Sequence, residues 1–430
     1  MPKTWIGTII GLLRNPTAAL IQLQQSGPIA AIKIGTRTVY VVNDAALIHR
    51  ILVTDVEKYE RGDQYDKARP MVGNGLVAAR GDLHRRQRRL LQPAFSSSML
   101  ASYTSVMREI ADARINDWPE GRSIRLDLEF NSLALEIVAR TLFSSSLTPD
   151  TVADVQSSLP LLMRGIQRRT VLPIRMLERL PTPGNRAFDR ALNRLHSAVD
   201  RVIHDRMTHH VQSSDVLSVL LAATDPVTGE RMTAQQVHDE VLSLLTAGSE
   251  TVATTLSWAA HEMSRSGDHQ RRVQQEADLC PDGDESPEHL PFTRRMINET
   301  LRRYPPLFLA TRRPVVDVEL GSQQLPAGST VVVSLYGLHH DPATFPDPQT
   351  FAPERWADES SKNLPRSGFV PFGNGPVRCI GEAFAMTEAL IVLRTMARRW
   401  TLRPAPGHTV RPAVRSVLVP DRLPIILERR

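Results

Sequence analysis

Apolar residues recur at intervals of three and four over Leu133 to Leu142, Ala187 to Ile203, Val237 to Met263 and Met296 to Leu301. That period predicts helices that bury one face. Ala30 to Val42 instead alternates about Gly35-Thr36-Arg37 and predicts a β-hairpin. Two β-branched runs, Pro314 to Leu320 and Thr330 to Leu335, are separated by Gly321 and Pro326-Ala327-Gly328 and predict a second small sheet. The acidic stretch Asp278 to Glu288, broken by Pro281 and Pro287, reads as a solvated loop. With no fixed-period repeat and no linker between independent units, the expectation is a single mainly α domain over residues 1–430 with small β-sheets.

Composition narrows the class. The chain has 430 residues, 41% hydrophobic and 23% charged, which is ordinary globular usage and argues against disorder. Aromatics are 5%, and 31 prolines exceed 23 glycines, as suits many helices with kinked connections. Two cysteines, Cys280 and Cys379, make no disulfide framework, so a reducing cytoplasm is expected. Near the N-terminus nine uncharged residues, Trp5 to Leu13, fall far short of the roughly 20 that span a bilayer. Lys3 precedes them and no small-residue cleavage site follows, so neither a membrane anchor nor a secretory signal is expected. The net charge of +6 permits an acidic protein partner. Nucleic acid is not expected, because no zinc finger, aromatic RNA-recognition motif or basic zipper accompanies the basic runs.

Candidate chemistry concentrates in Phe369 to Ala385, where Gly373, Gly375 and Gly381 and two prolines surround Cys379 ahead of a helical run. Glycine allows a close approach, and a thiolate before a helix is favoured by free N–H groups and the helix dipole. Such a sulfur suits a metal. No second Cys or His stands at zinc spacing, whereas a single axial thiolate suits haem iron. A buried free cysteine in a turn-rich loop fits the same residues.

Thr233 to Gln236 has the spacing of a capping box and opens the long run to Met263. In its middle, Gly248 and the hydroxyls of Thr246, Ser249 and Thr251 predict a local opening of the helix beside Glu250. Small residues packing helix on helix fit as well. Glu299 and Arg302 stand three apart on one helical face, as do His84 and Arg88 at four apart, with Arg85 and Arg89 forming a neighbouring row.

In this order the segments resemble the cytochrome P-450 monooxygenases. Phe372, Gly375, Cys379 and Gly381 match Phe-x-x-Gly-x-(Arg/His)-x-Cys-x-Gly, with one departure. The usually basic position two before the cysteine is Val377, and Arg378 stands one place later. Ala247, Gly248, Glu250 and Thr251 match (Ala/Gly)-Gly-x-(Asp/Glu)-Thr, and Glu299 with Arg302 matches Glu-x-x-Arg, to be completed by Arg355.

The resemblance implies the triangular P-450 fold, a helical body plus a β-rich lobe. Haem b (iron protoporphyrin IX) would lie between the long helix and the helix after Cys379, its iron ligand. Phe372, Gly373, Gly381, Ala247 and Gly248 would border the cofactor, and His84, Arg88 and Arg312 would hold its propionates. Thr251 would hydrogen-bond at the oxygen side, Glu250 would supply protons through water, and Glu299, Arg302 and Arg355 would form a structural triad. Met71, Leu76, Leu244, Phe308, Leu309 and Val417 would line the substrate cavity with Ala247 and Gly248.

The implied activity inserts one atom of O2 into a hydrophobic small molecule. Electrons would come from NAD(P)H through ferredoxin reductase and ferredoxin, since the chain has too few cysteines for an iron–sulfur cluster of its own. Gly73 to Arg89 resembles soluble bacterial terpenoid-oxidising members such as the pentalenene oxygenases, which implies a terpenoid substrate. Arg85 and Arg89 are either a solvated basic face or a docking site for acidic ferredoxin. A peroxide-driven peroxygenase and a non-catalytic haem sensor or carrier are the alternative activities. His339-His340-Asp341 is expected to be structural.

Overall fold

The computed structural model describes residues 11, 15–34, 37–143, 149–171, 178, 180–209, 215–357, 364–365 and 367–430. The N-terminal segment read above, apart from Gly11, and the hairpin loop residues Gly35 and Thr36 lie outside them. In chain order the first elements are α1 (Pro16–Gln24), β1 (Ile29–Ile34), β2 (Arg37–Val42), α2 (Ala45–His49), β3 (Tyr59–Arg61), α3 (Asp63–Val72), α4 (Gly81–Leu91), α5 (Ser97–Asn116), β4 (Ser123–Arg125) and α6 (Leu126–Phe143). Next come α7 (Pro149–Val171), α8 (Pro183–His209), α9 (Val216–Ala222), α10 (Ala234–Arg265), α11 (Gly267–Leu279) and α12 (Pro291–Arg303). The last part carries β5 (Leu309–Pro314), β6 (Val318–Leu320), β7 (Gln323–Leu325), β8 (Thr330–Ser334), α13 (Leu335–His339), α14 (Glu382–Arg399), β9 (Trp400–Pro404), β10 (Pro412–Val414), β11 (Leu418–Pro420) and β12 (Pro424–Arg429). Helices dominate and the sheets are small, as the periodicity predicts.

The central helix, α10, starts at a complete capping box: Gln236 N donates to Thr233 Oγ1, and Thr233 N to Gln236 Oε1. The expected opening in its middle is not found. Ser249, Thr251 and Thr255 donate their hydroxyls to the carbonyls four residues back, at 3.0, 2.8 and 3.0 Å, and α10 is helical throughout. The hydroxyls add a second bond to carbonyls already in the ladder, rather than replacing the ladder. A Cβ at Gly248 would lie 3.0 Å from Val138 on α6, so this glycine serves the close packing of the two helices.

The β-rich runs also depart from expectation. The hairpin does not stand apart from the late strands: β2 pairs in parallel with β8, giving one five-stranded sheet in the order β1-β2-β8-β5-β3. Pro314 to Leu320 is not one strand. Pro314 ends β5 opposite Tyr59, Val315 and Val316 are exposed, and β6 begins a separate ribbon with β7. Proline has no N–H with which to continue the ladder. The run from Thr330 stops at Ser334, whose hydroxyl caps α13 by accepting from Gly337 N.

The acidic stretch begins in the last turn of α11 and continues as a connection, but it is not simply solvated. Glu285 is buried and receives Arg108 at 2.8 Å and Arg394 at 3.0 Å. Among the described residues no helix is long and apolar enough to cross a membrane.

Candidate active site

Cys379 sits three residues ahead of the start of α14, in a loop bent by Gly373 (φ +74°) and Gly375 (φ +64°). A Cβ on Gly375 would come within 2.3 Å of the Leu52 carbonyl, so glycine is needed both for the dihedral and for the close approach. Cys379 N donates to Phe372 O at 2.8 Å, closing the loop on itself. The side chain is exposed to solvent, with protein atoms crowded around its sulfur. Burial there pushes the thiol above its ordinary range. The Gly381 N–H, Arg88 and Arg378 pull the other way, while Glu382 adds to the push. The protein frame alone therefore favours the thiol, contrary to the helix-start argument, and a bound cation would have to complete the ionisation.

Arg378 does not take the place left by Val377. It turns outward onto Glu382, with two bonds of 2.6 and 2.7 Å, while its carbonyl accepts Arg88 Nη1 at 2.5 Å. That last contact ties α4 to the cysteine loop.

The α4 rows separate as their spacing predicts: His84 is buried, Arg88 is half-buried, and Arg85 and Arg89 are exposed. Arg89 pairs with Asp225 at 3.2 Å and Arg85 with Asp82. His84 is pushed down to about 4 by burial and by Arg61, Arg88, Arg312 and Arg85. Strand alternation sends Arg312 inward and Arg313 outward, where Arg313 gathers Glu60, Asp63 and Asp66. Arg80 takes Glu60 and Asp66 as well.

Arg61 stands directly across the β3–β5 ladder from Arg312. Like charges in that register repel. Arg61, Arg88 and Arg312 have no carboxylate partner among the described residues. Burial pushes Tyr65 up, but Arg312 and Arg61 pull its hydroxyl further down, below the ordinary range. One accessible thiol, three guanidiniums without carboxylates and a neutral imidazole make a donor set that fits an iron porphyrin bearing two carboxylates.

On α10, Leu244, Ala247 and Thr251 share one stripe, and Ala247 is exposed although most of the helix is buried. Glu250 lies about 100° round the helix from Thr251. Its Oε2 accepts from Ser416 Oγ at 2.6 Å. Burial raises this acid above the usual carboxylate range, opposed by Ser416 and Arg415.

Glu299 and Arg302 are both fully buried and form a bidentate pair at 2.8 and 2.9 Å. Arg302 also donates to the carbonyls of His339, Pro348 and Thr350. The expected third member, Arg355, forms an ion pair with Glu299, Nε to Oε1 at 3.5 Å, and also donates to Asp347 O at 2.9 Å. The closer partners of Glu299 are Trp356 Nε1 and Ala352 N, each at 2.9 Å.

The expected cavity residues divide. Met71, Leu76 and Leu244 belong to the main core, with Met71 fully covered. Phe308 and Leu309 pack with Leu20, Tyr336 and Leu418. Val417 is buried beside Ser416. His339 Nε2 accepts from Val370 N at 3.1 Å, and His340 stacks on Tyr336 and meets Arg303 at 2.9 Å, so both rings have protein partners.

Sequence reading missed Arg61, Tyr65, Trp356 and Ser416. Trp356 stood next to the chosen Arg355. The other three carry no local signal, because what singles them out is a partner distant in sequence.

A family model described as Cytochrome P450 matches residues 1–427. Cyclooctat-9-en-7-ol 5-monooxygenase of Streptomyces melanosporofaciens is 38% identical over 99% of this chain and 93% of its own. Pentalenene oxygenase of Streptomyces avermitilis is 36% identical over 99% and 95%. A crystal structure of the cytochrome P450DA heme domain superposes with a TM-score of 0.87 at 23% identity, covering 98% of this chain and 95% of that one, and shares the fold.

Proposed function

The chain belongs to the cytochrome P450 family and is a monooxygenase of that family. On that premise we propose that it acts as a single domain over residues 1–430 in the cytoplasm, hydroxylating a terpenoid. Haem b would be its cofactor, and ferredoxin with its NAD(P)H-dependent reductase would be the electron donor. One oxygen atom of O2 enters the substrate and the other leaves as water, with two electrons and two protons consumed. The terpenoid assignment is supported by two relatives whose names denote oxidation of a cyclooctatenol and of pentalenene.

The observation that carries the cofactor reading is the meeting of an accessible thiol with guanidiniums that lack carboxylates. Cys379 would ligate the iron, and His84, Arg88 and Arg312, joined by Arg61 and Tyr65, would hold the two propionates. When bound, the thiolate-ligated haem supplies the oxygen-activating chemistry.

The chain's own residues would do the rest. Phe372, Gly373 and Gly381 keep the ligand side of the loop close and uncrowded, while Ala247 leaves room on the opposite face. Leu76, Leu244, Phe308, Leu309 and Val417 present an apolar wall that excludes water and orients the substrate. Glu250, raised by burial, keeps its proton to a higher pH than a surface acid and passes it through water towards the Thr251 hydroxyl. That acid–alcohol pair favours dioxygen over peroxide as the oxidant.

The test is reconstitution of the haem-loaded protein with ferredoxin and its reductase against a library of cyclic terpenes and terpene alcohols. Ligand-induced spin-state change and an oxygenated product are expected. Spin-state change with polar peptides alone would remove the terpenoid assignment. A reduced carbon-monoxide complex without the red-shifted Soret band of sulfur ligation would remove the thiolate.

A further inference from the structure

We propose that Ser416 is the positioning residue for Glu250: it docks the carboxyl on the turn between β10 and β11 and sets how firmly that carboxyl keeps its proton. This deepens the function proposed above, since it takes Glu250 as the proton-supplying acid.

The geometry starts with the 2.6 Å bond from Ser416 Oγ to Glu250 Oε2. The turn that carries Ser416 is pinned to the helix that carries Glu250. Arg415 N donates to Val417 O at 2.9 Å, closing the turn. Trp258 of α10 donates its indole N–H to Leu418 O at 2.8 Å, and Leu418 N donates to Pro306 O at 3.1 Å. The serine hydroxyl is therefore held at a fixed place relative to α10, so the bond constrains the acid rather than following it.

Glu250 points about one-quarter to one-third of a turn away from Thr251 around the helix. A carboxyl that is to deliver a proton on the Thr251 side must swing, and the Ser416 bond is what the swing breaks. Val417, the next residue, is an expected wall of the substrate cavity, so one short turn places both the wall and the acid.

The charges agree. Burial raises Glu250, and the groups that oppose it are Ser416 and Arg415, both on this turn. When Glu250 gives its proton to water on the cavity side, the resulting carboxylate is met by the Ser416 hydroxyl and the Arg415 charge. The proton is restored from bulk water, which reaches the half-exposed Ser416 and the exposed Arg415. No electrons move in this cycle.

The experiment is an infrared pH titration of the haem-loaded protein, with the carboxylic-acid band of Glu250 assigned as the one absent from Glu250→Gln. In Ser416→Ala the band should move to higher frequency and persist to higher pH, while Ser416→Thr, which keeps the hydroxyl, should retain the wild-type values. In reconstituted turnover Ser416→Ala should divert NAD(P)H electrons to hydrogen peroxide. Should Ser416→Ala fail to fold, the isosteric pair Ser416→Thr and Ser416→Val makes the same comparison.

A band and a titration midpoint unchanged on loss of the hydroxyl would overturn the inference, even where Glu250→Gln loses coupling. Full coupling in Glu250→Gln together with a shifted band in Ser416→Ala would instead retire the role of the acid and leave the positioning contact standing.

Discussion

His196 Nδ1 lies 3.0 Å from His238 Nε2. Beyond them, His196 Nε2 meets Pro70 O at 3.2 Å and His238 Nδ1 meets Asp200 at 2.6 Å. A carbonyl at one end, a carboxylate at the other and the contact between the rings each call for an N–H, and two neutral imidazoles carry only two. This chain of bonds joins α3, α8 and α10.

Burial and His238 hold His196 below its ordinary value, against the attraction of Pro70 O, Asp200 and Asp239. Protonating both rings would set two N–H groups face to face. A histidine lowered on folding contributes stability above its unfolded value of about 6.5 and loses it as the pH falls. The protection factors of the Met71 and Val72 amides, taken against the intrinsic exchange rate at each pH, should therefore fall between pH 7 and pH 5, and His196→Gln should flatten that dependence. Protection factors that do not change with pH in the wild type would contradict the coupling of this pair to the fold.

Glu240 has the opposite sign. Buried beside Asp239, it is pushed up to about 8 while its Oε2 accepts Leu76 N at 2.8 Å. An acid raised on folding contributes stability below its unfolded value and loses it as the pH climbs through 8. Glu240→Gln keeps an acceptor for Leu76 and should remove a decline in urea-unfolding free energy that runs from about pH 5 to about pH 8.

The Glu299 cluster separates structural partners by distance. Glu299→Ala strands the fully buried Arg302 and should cost about 3–5 kcal/mol in denaturant unfolding. Trp356→Phe removes one bond to that carboxylate and should cost about 1.5–3 kcal/mol. Arg355→Ala, 3.5 Å away and partly exposed, should cost less than about 1 kcal/mol.

Arg61 offers a test by reversal of sign. Its side chain opposes Arg312 in the ladder, so Arg61→Gln relieves repulsion while no anion is bound and weakens the hold on a dianion. The variant should raise the thermal midpoint of haem-free protein and increase the rate of haem transfer to apomyoglobin. Equal changes in both forms would mean that Arg61 merely packs.

Much was legible locally. The capping box at Thr233, the two rows on α4, the buried face of α10 and the glycine-bent loop around Cys379 follow from spacing alone, because helical period and backbone sterics act over a few residues. The departures have another origin. Gly248 is small because Val138 is close, Glu285 is buried because Arg108 and Arg394 reach it, and Trp356 is the nearer partner of Glu299 because the segment after α12 folds back over it.

The chain by itself determined where the central helix starts, which faces the helices bury and where a thiol, an acid and an alcohol stand along it, since each depends on neighbours within a turn or two. Only the tertiary structure decided which charges are left without a carboxylate, which acid is docked on which hydroxyl, and which imidazoles meet. Those outcomes depend on groups between 42 and 251 positions apart, Arg61 with Arg312, Glu250 with Ser416 and His196 with His238, whose meeting is set by packing.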